Sequence, residues 1–178
     1  MKYSFKNGSH LQAGAVLRNM YYKDEIEDKD RIVTGWGASL SGIWQFAQNT
    51  SLCFQGVYGK GISNYIQDIS GTGLDLVPNA TAEGKLKAFG AWGGYIGFSH
   101  NWSKVLTSNI MYSYARVLDR YGMPTTSYKY AQYAAANLFW DFSEYGSCAI
   151  EYVFGRRNDF NKDYGNASRI NTMIQYRF

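Results

Sequence analysis

Nine charged side chains are the residues of this chain best placed to do chemistry: Arg18, Lys85, Lys87, Lys129, Arg157, Arg169 and Arg177, opposed by Asp141 and Glu151. Each falls on the polar parity of an alternating segment. Fixed positive charge along a water-filled passage with low-dielectric walls stabilises a passing anion, and the arginine fork grips a carboxylate at two points. Such residues would line a pore and favour small anionic solutes. The competing expectation is that they pair with the acids or lie at strand ends among lipid headgroups.

No other constellation points to a reaction, so neither an enzyme nor a cofactor is expected. His10 and His100 are the only histidines; Ser9-His10 has no acidic residue in register to orient a base, and Gly59-Lys60-Gly61 is too short for a phosphate loop. Asp24, Glu25, Glu27, Asp28 and Asp30 resemble a calcium-binding run, but Lys23, Lys29 and Arg31 balance them, which fits a solvated loop; no metal site is expected. Cys53 and Cys148 lie far apart on opposite parities and make no zinc spacing. The net charge is +4, yet no Lys/Arg run exceeds two residues, so nucleic acid is not an expected partner.

The elements that would position these charges are strands. The last stretch, 168–178, carries Ile170, Thr172, Ile174, Tyr176 and Phe178 on one parity and Arg169, Asn171, Met173, Gln175 and Arg177 on the other. A strand shows alternate residues to its two faces, so this one has an apolar face and a basic, polar face. Tyr176 and the terminal Phe178 form an aromatic end of the kind that closes bacterial outer-membrane barrels and is read by their assembly machinery. Composition agrees: aromatics are 17%, with Tyr 16 and Gly 19 but only Pro 2. Mean hydropathy is −0.36 and no apolar run approaches the roughly 18 residues of a spanning helix, which excludes helical membrane proteins but not a membrane β-barrel.

The alternation recurs along the chain. The sequence begins inside a strand (Tyr3, Phe5) that turns at Asn7-Gly8; strands follow over 9–22, 35–46, 52–59, 85–100, 106–115, 129–142, 148–157 and 168–178. Connections alternate between short (7–8, 47–50, 101–104, 143–147) and long (23–31, 64–84, 118–128, 157–167). The long connection 118–128 carries Asp119, Arg120, Gly122 and Pro124. That rhythm predicts an all-β, antiparallel, up-and-down transmembrane β-barrel. Short periplasmic turns, long extracellular loops and strands of about 10 residues or more are its marks. Residues 1–178 read as one domain, with eight full strands and a partial ninth. Because complete bacterial barrels have even counts, the chain reads as the C-terminal part of a larger one. Residues 1–6 lack the apolar core of a secretory signal.

The succession His10-Leu11-Gln12-Ala13-Gly14, Gly35-Trp36-Gly37-Ala38-Ser39-Leu40-Ser41-Gly42, Phe54-Gln55-Gly56-Val57-Tyr58-Gly59-Lys60-Gly61-Ile62, Ala91-Trp92-Gly93-Gly94-Tyr95-Ile96-Gly97, Gln132-Tyr133-Ala134-Ala135-Ala136-Asn137-Leu138 and Glu151-Tyr152-Val153-Phe154-Gly155-Arg156-Arg157 is similar, collinearly, to the C-terminal half of the DcaP-like outer-membrane porins. The resemblance implies a sixteen-stranded, homotrimeric channel for small, often anionic solutes, preceded by a signal peptide and further strands. Small residues on the outward parity, Ala38, Gly42, Ala88, Gly90, Gly94, Ala134 and Ala136, fit either a subunit interface or relief of strain within the sheet.

Three functions remain open from the sequence. The first is part of a passive-diffusion porin. The second is a self-contained eight-stranded membrane barrel acting as anchor or adhesin, packed inside by Tyr95, Tyr133 and Phe139. The third is a soluble lipocalin-like binder, which needs the apolar parity inside.

Overall fold

Period-two alternation is realised as strands almost throughout the computed structural model, which describes residues 1–118, 120 and 122–178. The strands are β1 Lys2–Ser4, β2 His10–Asp24, β3 Lys29–Ala47, β4 Thr50–Lys60, β5 Leu76–Pro78, β6 Leu86–Ala88, β7 Gly90–Asn101, β8 Leu106–Val117, β9 Tyr128–Asp141, β10 Gly146–Asp159 and β11 Tyr164–Tyr176. Nine of them form one antiparallel up-and-down sheet in the order β1-β2-β3-β4-β7-β8-β9-β10-β11, while β5 and β6 pair with each other. The expected eight long strands and one short first strand are present. β1 and β11 are the two edges, and they do not pair among the described residues. A self-contained eight-stranded barrel needs its first and last strands to join; this sheet is open, as part of a larger barrel would be.

Cross-strand register sorts every side chain to one of two faces. One row runs Gln12, Ser41, Gln55, Tyr95, Ser113, Tyr133, Gly155 and Ala167. Another, on the opposite face, runs Trp44, Leu52, Phe98, Ile110, Ala136, Tyr152 and Ile170. The apolar face is bare: Ile174 is 84% and Leu17 79% exposed. Each such side chain forgoes about 1.5–3 kcal/mol of burial unless something apolar covers it, and a bilayer is the cover that suits a whole face. A lipocalin-like barrel turns this parity inward, and here it points outward. Cys53 and Cys148 are free and lie on opposite faces.

Three boundaries differ from the expectation. The strand expected over 85–100 begins at Gly90; Leu86–Ala88 leave the sheet and pair with Leu76–Pro78, so Lys85, Lys87 and Ala88 are not on the main wall. The charged loop 23–31 is only a four-residue turn between Asp24 and Lys29. The polar loop 157–167 likewise shortens, because β10 runs to Asp159 and β11 starts at Tyr164. In both hairpins the strands continue past the apolar band as a polar ribbon, whose backbone groups still gain ladder hydrogen bonds even though its side chains no longer alternate by hydropathy. Of the expected connection over 118–128, Asp119 lies outside the described residues.

Candidate functional site

The polar face carries most of the charges singled out in the sequence, and part of it is covered by the chain itself. After Gly61, at φ +68°, residues 62–89 turn back over the face instead of projecting from the strand ends. Ile62, Ile69 and Phe89 are fully buried, and with Ile66 and Val77 they pack on Ala91, Ala115 and Val117 of β7 and β8. Small residues on the sheet make room: a Cβ on Gly37 would come within 2.9 Å of Ile62 Cγ2. The inward row of glycines and alanines, too small to fill a barrel, is therefore the bed of this segment.

Polar contacts rivet the segment down. The Asp75 carboxylate accepts from the Ser63 amide at 2.7 Å, the Ser63 hydroxyl at 2.8 Å and Arg18 Nη1 at 3.0 Å. Arg18 also donates to the Gly61 carbonyl at 3.3 Å, and its guanidinium lies 5.9 Å from the Tyr65 ring centre. The Tyr22 hydroxyl accepts from the Leu86 amide at 3.0 Å. At the β2–β3 tip, Asp24 accepts from the Ile26 and Glu27 amides and from Arg31 Nε at 2.9 Å. Glu27 joins Arg31 at 2.6 Å and Lys85 at 3.7 Å, while Lys23 reaches Asp28 at 2.7 Å. Three of the five acids of this tip, Asp24, Glu27 and Asp28, are thus paired with cations of the tip or with Lys85.

A polar row that needs register to be seen crosses the sheet from β3 to β11, and its hydrogen-bonded part lies on β8 to β11. Gln45, Ser51, Ser99, Asn109, Asn137, Glu151 and Asn171 stand side by side across seven strands. Asn109 Nδ2 donates to Asn137 Oδ1 at 2.7 Å, Asn137 Nδ2 to Glu151 Oε2 at 3.3 Å, and Asn171 Nδ2 to Glu151 Oε1 at 2.9 Å. Two amides thus orient one carboxylate. Arg169 lies one diagonal step from it, opposite Val153, and is exposed.

The remaining charges spread toward the two rims. Arg157 pairs with Asp159 at 2.9 Å and lies 5.7 Å from the Tyr128 ring centre, while Lys129 lies 6.0 Å from that of Phe160. A recess of about 490 Å³ opens there, lined by Asp68, Thr72, Leu74, Ser127, Tyr128, Ala131 and Arg157. Partial burial at its edge raises the Asp68 carboxyl above its ordinary range. Asp141 and Arg177 both line a recess of about 380 Å³ at the opposite rim, together with Lys104 and Glu144. Tyr176 ends β11, and Phe178 is fully exposed beyond it.

Of the nine charges singled out in the sequence, seven project from the polar face of the sheet or from its rim, and Lys85 and Lys87 ride on the infolded segment. Arg18, Arg157 and Lys85 are held by Asp75, Asp159 and Glu27, acids other than the two expected. Asp75 and the asparagine row escaped sequence reading. The spacing of Ile62, Ile66 and Ile69 within an otherwise polar loop was the one signal that this loop packs on something.

No family model and no curated protein matches the chain. Among solved structures, the outer-membrane channel DcaP of Acinetobacter baumannii superposes with a TM-score of 0.79 over 99% of this chain, at 20% identity. The porin NanC gives a TM-score of 0.50 over 100% of this chain and 90% of its own, at 12% identity. The chain spans about half the length of DcaP, 49% of it. It has the fold of a porin wall, and of DcaP's in particular over that half.

Proposed function

We propose that this chain is part of the wall of an outer-membrane porin for passive diffusion of small hydrophilic solutes, with anions preferred. The observation that carries the reading is the pairing of two unlike faces on one open sheet. One face is largely apolar and suited to lipid. The other is polar, narrowed by residues 62–89 and lined in its bare half by Arg169, Glu151 and the asparagine row. Likeness to DcaP and NanC, both channels by description, supports it. Cations exceed acids on this face, which supports anion preference.

The full-length protein on this reading resides in the bacterial outer membrane, is delivered through a terminal signal that includes Tyr176 and Phe178, and assembles as a homotrimer. The small outward residues divide in their bearing on trimerisation. A Cβ on Gly42 or Gly94 would collide with a neighbouring carbonyl oxygen, at 2.5 and 2.4 Å, so the sheet itself demands those two, and one on Gly90 would meet the Leu118 side chain at 2.8 Å; Ala38, Ala134 and Ala136 are left for a subunit contact. Planar-bilayer recording of the full-length protein under a salt gradient tests the function. Steps of conductance with an anion-selective reversal potential are expected. Silence in the bilayer, with the protein inserted, sinks the porin reading and leaves an anchor.

A further inference from the structure

Apart from Lys23, which pairs with Asp28 at the β2–β3 tip, the lipid-facing side carries three cations that the pore does not use. Lys60, Arg116 and Arg156 all lie on the apolar face, in register with Trp36, Trp92 and Gln132 respectively. Charge on such a face is costly at mid-depth in hydrocarbon, and the cost falls to nearly nothing at the interface. Their depth therefore decides what they do.

The three share one depth. Each stands ten residues beyond the first residue of its strand, Thr50, Leu106 and Gly146, and each of those follows a short turn at the same end of the sheet. Ten residues at about 3.3 Å, tilted roughly 40°, rise about 25 Å, the height of the apolar band of such barrels. Between β4, β8 and β10 the cations descend by one outward-facing row each time, and the starting residues descend in parallel. That stagger is what strand tilt produces along a line of constant depth. The line lies on the side of the long connections.

Its surroundings are those of a headgroup layer. Trp92 stacks on Tyr114 with ring centres 5.0 Å apart, and Tyr114 on Tyr130 at 5.5 Å, forming an aromatic belt around Arg116. Arg116 Nε is buried and has no hydrogen-bond partner. Arg156 lies flat on Tyr164, 4.2 Å from the ring centre, with Nε held by Asn158 at 3.1 Å. None of the three enters an ion pair among the described residues. Asp30, at the tip of a hairpin, is the one acid on the outward parity of the main strands. Gln132 and Asn166, level with Arg156 in register, add neutral hydrogen-bonding groups.

From this we infer that Lys60, Arg116 and Arg156 form a binding row for the phosphate groups of anionic lipids in the leaflet on the long-connection side. Guanidinium groups take phosphate oxygens two at a time, and the lysine adds a point charge. The inference rests on the membrane-wall reading of the preceding section. Each cation contributes about fivefold to retention of an anionic headgroup.

Native mass spectrometry of the full-length, detergent-extracted protein, offered phosphatidylglycerol and phosphatidylcholine in equal amounts, tests it. The expected result is preferential retention of phosphatidylglycerol, lost in K60Q/R116Q/R156Q and kept in Lys104→Gln, which removes a charge at the opposite end. Should Arg116→Gln prevent folding, K60Q/R156Q is expected to lower the preference by more than tenfold. Equal retention of the two lipids by the wild type overturns the inference. So does displacement of the lipid by millimolar inorganic phosphate, which marks a free-anion site, or a change in subunit number with lipid binding intact, which marks a protein contact. A protein that needs no detergent fails the membrane reading itself, whereas one that inserts and conducts without lipid preference fails this inference alone.

Discussion

The two halves of the polar face carry similar charges and use them differently. Under residues 62–89, Arg18 is tied to Asp75 and Gly61, and the sheet beneath is reduced to Gly35, Gly37, Ala91 and Ala115. On β9 to β11, Arg169 is left to solvent and Glu151 is presented by two asparagines. A cation on this face is thus either a fastener or part of the proposed passage, and the difference is whether an acid on the infolded segment reaches it. The covered half gives shape; the bare half gives charge.

The comparison breaks most readily at Phe89. It is fully buried between segment and sheet, so Phe89→Ala is expected to lower unfolding stability by about 3–5 kcal/mol and to raise conductance as the segment loosens. Chemical denaturation in detergent, set beside single-channel recording, checks both. Asp75→Ala comes next, since it leaves Arg18 and the Ser63 amide without their shared acceptor; a loss of roughly 1–3 kcal/mol is expected, with conductance again higher. If Asp75→Ala leaves conductance untouched, the segment does not narrow the passage.

Charge changes on the bare half should act on selectivity and spare the fold. Arg169→Gln is expected to shift the reversal potential toward cations and Glu151→Gln toward anions. Each is worth about 1 kcal/mol or less, because a solvated unit charge a few ångströms from the ion contributes no more. Equal and silent effects would place the selective charges elsewhere.

The smallest effect is that of pH at Asp68. Its carboxyl is raised by partial burial, so the folded state favours the protonated form. The stability it contributes is present below the ordinary carboxylate range and is lost as pH rises through the raised value. The side chain is exposed enough that solvent screening keeps the change well under about 1 kcal/mol. Unfolding midpoints across the acidic range, compared with Asp68→Asn, should show the slope only in the wild type.

Much of the wall was legible because a pleated strand has a local period. Ile170, Ile174 and Tyr176 against Arg169, Asn171 and Arg177 declare two faces with no knowledge of any neighbour. The segment 62–89 was not legible, because its apolar residues find their partners on β7 and β8 and on glycines far away in the chain. Lys85 and Lys87 alternate as a strand should, yet they pair with the segment Leu76–Pro78 and not with the wall. Asn109, Asn137, Glu151 and Asn171 each show polar parity, but nothing in one strand says they will stand in one row.

By itself, then, the sequence determined which side chains take the apolar face and which the polar one, since parity is a property of each strand alone. The tertiary structure decided the rest. Register brought seven polar residues into one row and staggered Lys60, Arg116 and Arg156 by one outward-facing row each, because alignment between strands is set by their pairing and not by their own pattern. The fold of 62–89 onto the sheet likewise depended on packing between residues distant in sequence, which converted a presumed loop into the inner wall of the proposed passage.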